Sequence, residues 1–286
     1  MALTAKELVS GFLHLASLPA VVIRVNEILD SPNFSAADVG DVLSKDPAMS
    51  VRLLKIVNSP FYGFTSSIDT ISRAITIIGI EDLRDIIFSS SVATIFKGVP
   101  NDLVDMETFW RHSIYCAVIA RLLAGHLQLP NRERYFLAGL LHDIGTLVIY
   151  HRLPELAREA LSQVKFNDAE LTSAERQLLG FDHAQVGAEL LRSWRLPENL
   201  ITAVEYHHEA DYSSDHHTEV QITYLANCIA NNTPHARSSD TNHPALDSLS
   251  WTLPGLSLDI LRQTMIEAEE QFEQTLLMLF PPNNKA

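Results

Sequence analysis

Residues 136–150 read FLAGLLHDIGTLVIY, a run apolar enough to be buried on every side, and His142 and Asp143 stand together at its centre. This dipeptide constrains the fold more than any other feature of the chain. A carboxylate taken out of water without a partner is strongly destabilising, so it must meet a cation or a strong set of donors. An imidazole beside it can share that cation. Whatever this chain folds into has to bring charge, or a metal ion, to Asp143.

The elements available for that task read as helices. In LPAVVIRVNEILDS, Val21, Val22, Val25, Ile28 and Leu29 fall on one stripe at the 3, 4 and 7 spacing of an amphipathic helix. Ser35 and Asp38 form a variant capping box, and Asp46-Pro47 opens a further helix. Gly79 divides two apolar segments within 71–97 and reads as a helix terminator. A DNA-binding helix pair there is disfavoured, because Glu81, Asp82 and Asp85 make a poor surface for phosphates. Helical stretches are expected at 106–128, 132–150, 153–164, 182–194, 197–208 and 217–231. An amphipathic helix from Leu258 to Leu279 follows a loop-like surface segment over 232–254. Nothing alternates with period two for long enough to argue a sheet. The expected fold is all-α, with residues 1–100 as an N-terminal helical subdomain, 101–232 as a helical bundle and 233–286 as a loop and terminal helix packing on that bundle. GVPNDLVD (98–105) marks the boundary.

Composition narrows the chemistry. With 35 acidic against 21 basic side chains, the net charge is −14. Affinity for nucleic acid comes largely from Lys and Arg neutralising phosphates, so a nucleic-acid partner is disfavoured. Cys116 and Cys228 are too few and too far apart for a disulfide scaffold or a CxxC metal site, and read as reduced apolar side chains. No signal-peptide pattern and no long uncharged apolar run is visible, so a cytoplasmic location without a membrane span is expected. Phosphate loops, dinucleotide-binding glycines, HExxH and GxSxG are all missing from the sequence.

The histidines are unevenly placed. His14, His126, His151, His235 and His243 stand isolated, and His216-His217 sits in a polar stretch. The others fall in four helical segments: His112, His142 with Asp143, His183, and the pair His207-His208. Helices of a bundle can converge such side chains on an internal metal. Imidazole with carboxylate suits Fe, Mn, Zn or Ni rather than Ca or Mg alone. Adjacent residues on a helix point about 100° apart, so each pair can face one cavity or bridge two ions. A lone histidine on an apolar helix is more often a hydrogen-bonded core residue, and spacing alone leaves both readings open.

At HDIG the chain resembles the HD superfamily of metal-dependent phosphohydrolases, and more specifically the HDOD domains, the HD-related output domains of bacterial signalling proteins. LPAVVIRVNEILDSP, DVLSKDPAMSVRLLKIVNSPFYGF, IDTISRAITIIGIEDLRDII, FWRHSIYCAVIARLLA, YFLAGLLHDIG and FDHAQVGAELLRSWRLPENLITAVEYHHE carry the resemblance over roughly residues 10–232. It implies an HD-type bundle with an additional N-terminal helical subdomain. It also implies that His112, His142, Asp143, His183, His207 and His208 are the metal ligands, for one or two divalent transition-metal ions. Thr146 stands where related phosphodiesterases carry lysine, and Asn227 where the final aspartate is expected.

The resemblance therefore implies a signalling or regulatory output role, acting through protein partners or a nucleotide-type ligand, with a degenerate HD site. The alternative is a metal-dependent phosphohydrolase in which Asp143 takes the catalytic role. No receiver or GGDEF-like segment is read in the chain, so an upstream sensor is expected to be a separate protein. Oligomeric state is left open.

Overall fold

A computed structural model describes residues 3–64, 66–96, 103–164, 168–209, 211–213, 215–233 and 253–280. Every regular element among them is a helix, which bears out the all-α expectation. The loop-like reading of 232–254 and the histidines His235 and His243 fall almost wholly outside the described residues, as does most of the 98–105 boundary.

The chain divides into two compact units, Met1–Leu15 with Val99–Glu270, and Ala16–Gly98 with Gln271–Ala286. In the second of these, α2 (Ala20–Leu29), α3 (Ala36–Ser44), α4 (Pro47–Val57), α5 (Ile71–Ile78) and α6 (Ile80–Phe96) pack on one another around Val25, Leu43, Leu53, Ile75 and Leu83. Their starts are chemically marked. The Ser35 hydroxyl accepts the Asp38 N–H, and the Asp38 carboxylate accepts the Ser35 N–H at 2.9 Å, satisfying two donors that helix geometry leaves open. Asp46 accepts the Met49 N–H, and Pro47 takes the first helical position, where no N–H is missed. Gly79 ends α5 at φ +91°, a conformation that side-chain-bearing residues rarely adopt.

The other unit holds the bundle. It contains α1 (Ala5–Ser10), α7 (Met106–His126), α8 (Arg132–Leu141), α9 (Ile144–Arg152), α10 (Pro154–Gln163), α11 (Asp168–Leu179), α12 (His183–Ser193), α13 (Glu198–Glu205) and α14 (His217–Asn231), with the start of α15 (Leu258–Leu279). Residues 1–15 group here because α1 packs on α9 and α12, with Leu8 and Val9 as its buried residues. The sequence division at residue 100 assigned them to the N-terminal subdomain. α15 likewise divides between the two units after Glu270.

α7 lies against α8 and α14, and α12 against α9 and α13. From Phe109 to Ala124 almost every side chain of α7 is buried, so the helix is enclosed rather than amphipathic. Close approach of α9 to α12 depends on Gly145. A Cβ there would collide with the His183 carbonyl oxygen and lie 2.5 Å from the Gly187 amide nitrogen. The glycine of HDIG thereby sets how near the His-Asp pair comes to His183.

Candidate metal centre

The expected helix over 132–150 is broken at its chemical centre. His142 follows the last residue of α8 and Asp143 caps α9 at φ −99°, ψ 6°. The two side chains are therefore aimed by a tight turn rather than by successive positions of one helix. His112 comes from α7, His183 from the first position of α12, and His207 and His208 from the turn after α13. The structure brings all six together.

Asp143 lies in the middle. Its Oδ2 is 3.1 Å from His142 Nε2 and 3.9 Å from His112 Nε2, and its Oδ1 is 3.4 Å from His183 Nε2 and 3.6 Å from His207 Nε2. Donor atoms of Asp143, His183, His207 and His208 all fall within 4.8 Å of one another. Each carboxylate oxygen thus faces a different pair of imidazoles. His112, His142, Asp143, His183 and His207 are all 0% exposed, and His208 is half-buried.

This donor set fits a metal. The His142 Nδ1–H donates to the Gly139 carbonyl and the His207 Nδ1–H to the Val204 carbonyl, each at 2.7 Å. A carbonyl only accepts, so both neutral rings carry their proton on Nδ1 and turn the Nε2 lone pair inward. Neither Nε2 has a hydrogen-bond partner although both are buried. Imidazoles oriented through their outer nitrogen, around a shared carboxylate, are the usual arrangement of ligands to a transition metal.

His183 is held differently. Glu175 Oε2 accepts both its backbone N–H, at 2.9 Å, and its Nδ1–H, at 2.7 Å. Burial alone would push this imidazole down, but Glu175 and Asp143 together hold it well above its ordinary value. Protonated, it donates from Nε2 to His208 Nε2, 2.8 Å away. His207 goes the opposite way: burial and the neighbouring His142 and His183 lower it, against the pull of Asp143. Arg176 pairs with Asp182, the residue capping α12, at 2.6 Å and with Glu209 at 3.5 Å, linking the two segments that present His183 and His208.

At the other side of Asp143, Asn227 Oδ1 on α14 is 3.2 Å from His112 Nε2, so the position expected for an aspartate is occupied by a neutral amide. Thr146 is buried beside the pair. Glu175 and Cys116 were absent from the expected site. Cys116 Sγ is 3.6 Å from His112 Nε2. The spacing of four between Cys116 and His112 was a readable signal, since residues at i and i+4 share a helix face.

The HDOD domain family matches residues 15–210, more than half of the chain. The chain belongs to the HDOD domain family. Solved structures share the HDOD fold. A "putative phosphohydrolase" of Shewanella amazonensis SB2B is 24% identical, with a TM-score of 0.65, over 95% of this chain and 92% of that one. A "putative signal transduction protein" of Marinobacter aquaeolei VT8 is 22% identical, with a TM-score of 0.69, over 94% of this chain and 60% of that one. An uncharacterized protein of Treponema pallidum (strain Nichols) is 21% identical over 202 residues, 70% of this chain; the match spans only 39% of that longer relative. Among the described residues no helix of this HDOD protein is long and apolar enough to cross a membrane.

Proposed function

We propose that this HDOD protein is a regulatory output module whose HD-type pocket holds one or two divalent transition-metal ions in a closed, non-hydrolytic site. The ligands are His112, His142, Asp143, His183, His207 and His208. The site stabilises the bundle or senses a ligand, and the output passes through protein contacts. One observation carries the reading: five of the six donor side chains are fully buried and only His208 reaches toward solvent. Structural metal sites are closed by protein ligands, whereas hydrolytic ones keep a position open to water and substrate. Thr146 and Asn227 support it, since neither supplies the charge that lysine and aspartate would. The signalling name borne by the Marinobacter relative is consistent with this role.

The deciding experiment measures bound metal in the purified protein, then turnover on a panel of nucleotide and phosphodiester substrates with added Mn²⁺ or Fe²⁺. Tightly held metal with no turnover is the expected result. Metal-dependent turnover that disappears in Asp143→Ala would overturn the proposal in favour of a phosphohydrolase.

A further inference from the structure

Two donor groups meet at Asp143, and the second contains a sulfur. Donor atoms of His112, Cys116 and His142 lie within 4.8 Å of one another, all buried. His112 and Cys116 are one helical turn apart on α7, so they face the same side. The His142 Nε2, with no hydrogen-bond partner and no exposure, belongs to this group. Asp143 Oδ2 lies 3.1 Å from that nitrogen, and Asn227 Oδ1 lies 3.2 Å from His112 Nε2.

Distance and charge both bear on what the sulfur does. Bonds of about 2.3 Å to sulfur and about 2.0–2.1 Å to nitrogen, spread at a tetrahedral angle, separate the two donors by roughly 3.6 Å. Cys116 Sγ and His112 Nε2 are 3.6 Å apart. Without the sulfur, this group faces an ion with two neutral imidazoles, a neutral amide and one oxygen of a carboxylate whose other oxygen faces His183 and His207. A thiolate supplies the anionic donor that Asn227 does not.

We propose that Cys116, as its thiolate, is a metal ligand with His112, His142 and Asp143, forming a subsite that prefers a thiophilic divalent ion such as Zn²⁺ over Mn²⁺. The inference rests on the metal reading above but goes beyond the six ligands assigned there. Thiolate selects for borderline and soft ions, whereas carboxylate and amide oxygens suit harder ones. Binding the ion replaces the thiol proton, which leaves to solvent, and shifts the His112 proton from Nε2, where Asn227 Oδ1 accepts it, to Nδ1.

Cobalt(II) is the probe. The full chain, stripped and reloaded with Co²⁺, is expected to show a thiolate-to-cobalt charge-transfer band in the near ultraviolet. Cys228→Ala should keep the band, and Cys116→Ala should lose it. Binding in Cys116→Ala should weaken by about tenfold or more, the lower end of what losing a mere outer-shell partner costs. Cys116→Ser serves as a second variant if the alanine protein does not fold, and the wild-type spectrum needs no variant at all. Cobalt bound in full with no such band, and with affinity unchanged in Cys116→Ala, would overturn the thiolate ligand and leave the histidine site standing. Failure of the wild-type chain to bind any ion would instead overturn the metal reading itself.

Discussion

Glu175 Oε2 lies 2.7 Å from His183 Nδ1, with both side chains buried in the bundle. The contact joins α11 to the first residue of α12 and fixes the imidazole from behind, leaving Nε2 to face Asp143. One helix later in the chain thus depends on one carboxylate earlier in it. The neighbouring Arg176 holds Asp182 and Glu209 by ion pairs, so α11 braces the His183 side of the centre as a unit.

Glu175→Ala should weaken metal binding by about 10–100-fold, the usual effect of removing a residue that orients a histidine ligand. Glu175→Gln retains an acceptor for Nδ1–H and should recover most of that loss. Chelator competition followed by metal analysis measures both. Equal losses in the two variants would mean that the charge, rather than the orientation, is what His183 requires.

The two perturbed histidines predict opposite pH effects in the metal-free protein. His183 is raised on folding, so its stabilisation is complete below the unfolded value of about 6.5 and is lost as pH rises through the folded value. His207 is lowered, so its penalty is nil above about 6.5 and grows as pH falls toward its folded value. Melting temperature in chelator should therefore peak near that pH and decline on both sides. Metal must also displace the His183 proton, so affinity should rise with pH and binding should release a proton. Calorimetry in buffers of different ionisation enthalpy reads the proton directly.

Much of this architecture was legible. Helix starts at Ser35 and Asp46 follow from local hydrogen-bond chemistry, which a sequence displays without tertiary information. The six candidate donors stand out because histidines in apolar helices are conspicuous, and because the HDIG resemblance orders them. α11 was missed, and Glu175 with it. Its inward face mixes Leu171 and Ala174 with Thr172 and Glu175, so two of the four buried positions among its described side chains are polar and the apolar stripe disappears. A buried carboxylate that serves a histidine eight residues away looks, in one dimension, like a surface charge. The break at His142-Asp143 was hidden for the opposite reason. Apolar residues run up to the turn and resume directly after it, because it is buried as fully as the helices on either side.

Gly145→Ala tests how tightly the centre is built. The new methyl would meet the His183 and Gly187 backbone, and backbone cannot swing aside as a flexible side chain can. Overpacking of this kind costs about 1–3 kcal/mol and occasionally more, so a loss at or above the upper end is expected in urea unfolding. Metal affinity should fall with it, because α9 carries Asp143 and α12 carries His183. A variant that unfolds at the wild-type midpoint and binds metal normally would show that the two helices have slack.

Asn227→Asp separates the two reasons offered for a non-hydrolytic site. The substitution returns a carboxylate to a position 3.2 Å from His112 Nε2 and adds a negative charge to a buried donor set. An ion favouring oxygen donors, such as Mn²⁺, should bind more tightly, on the order of tenfold, which is about 1.4 kcal/mol. In the metal-free protein the same charge joins the Asp143 carboxylate in a buried site with no metal to balance the two, and should lower the melting temperature. Turnover of phosphodiesters should nevertheless stay at background, because the added charge leaves the closure of the site unchanged. Activity appearing in this single variant would place the block at residue 227 and not in the burial of the ligands, and the HD pocket would then be one charge away from an enzyme.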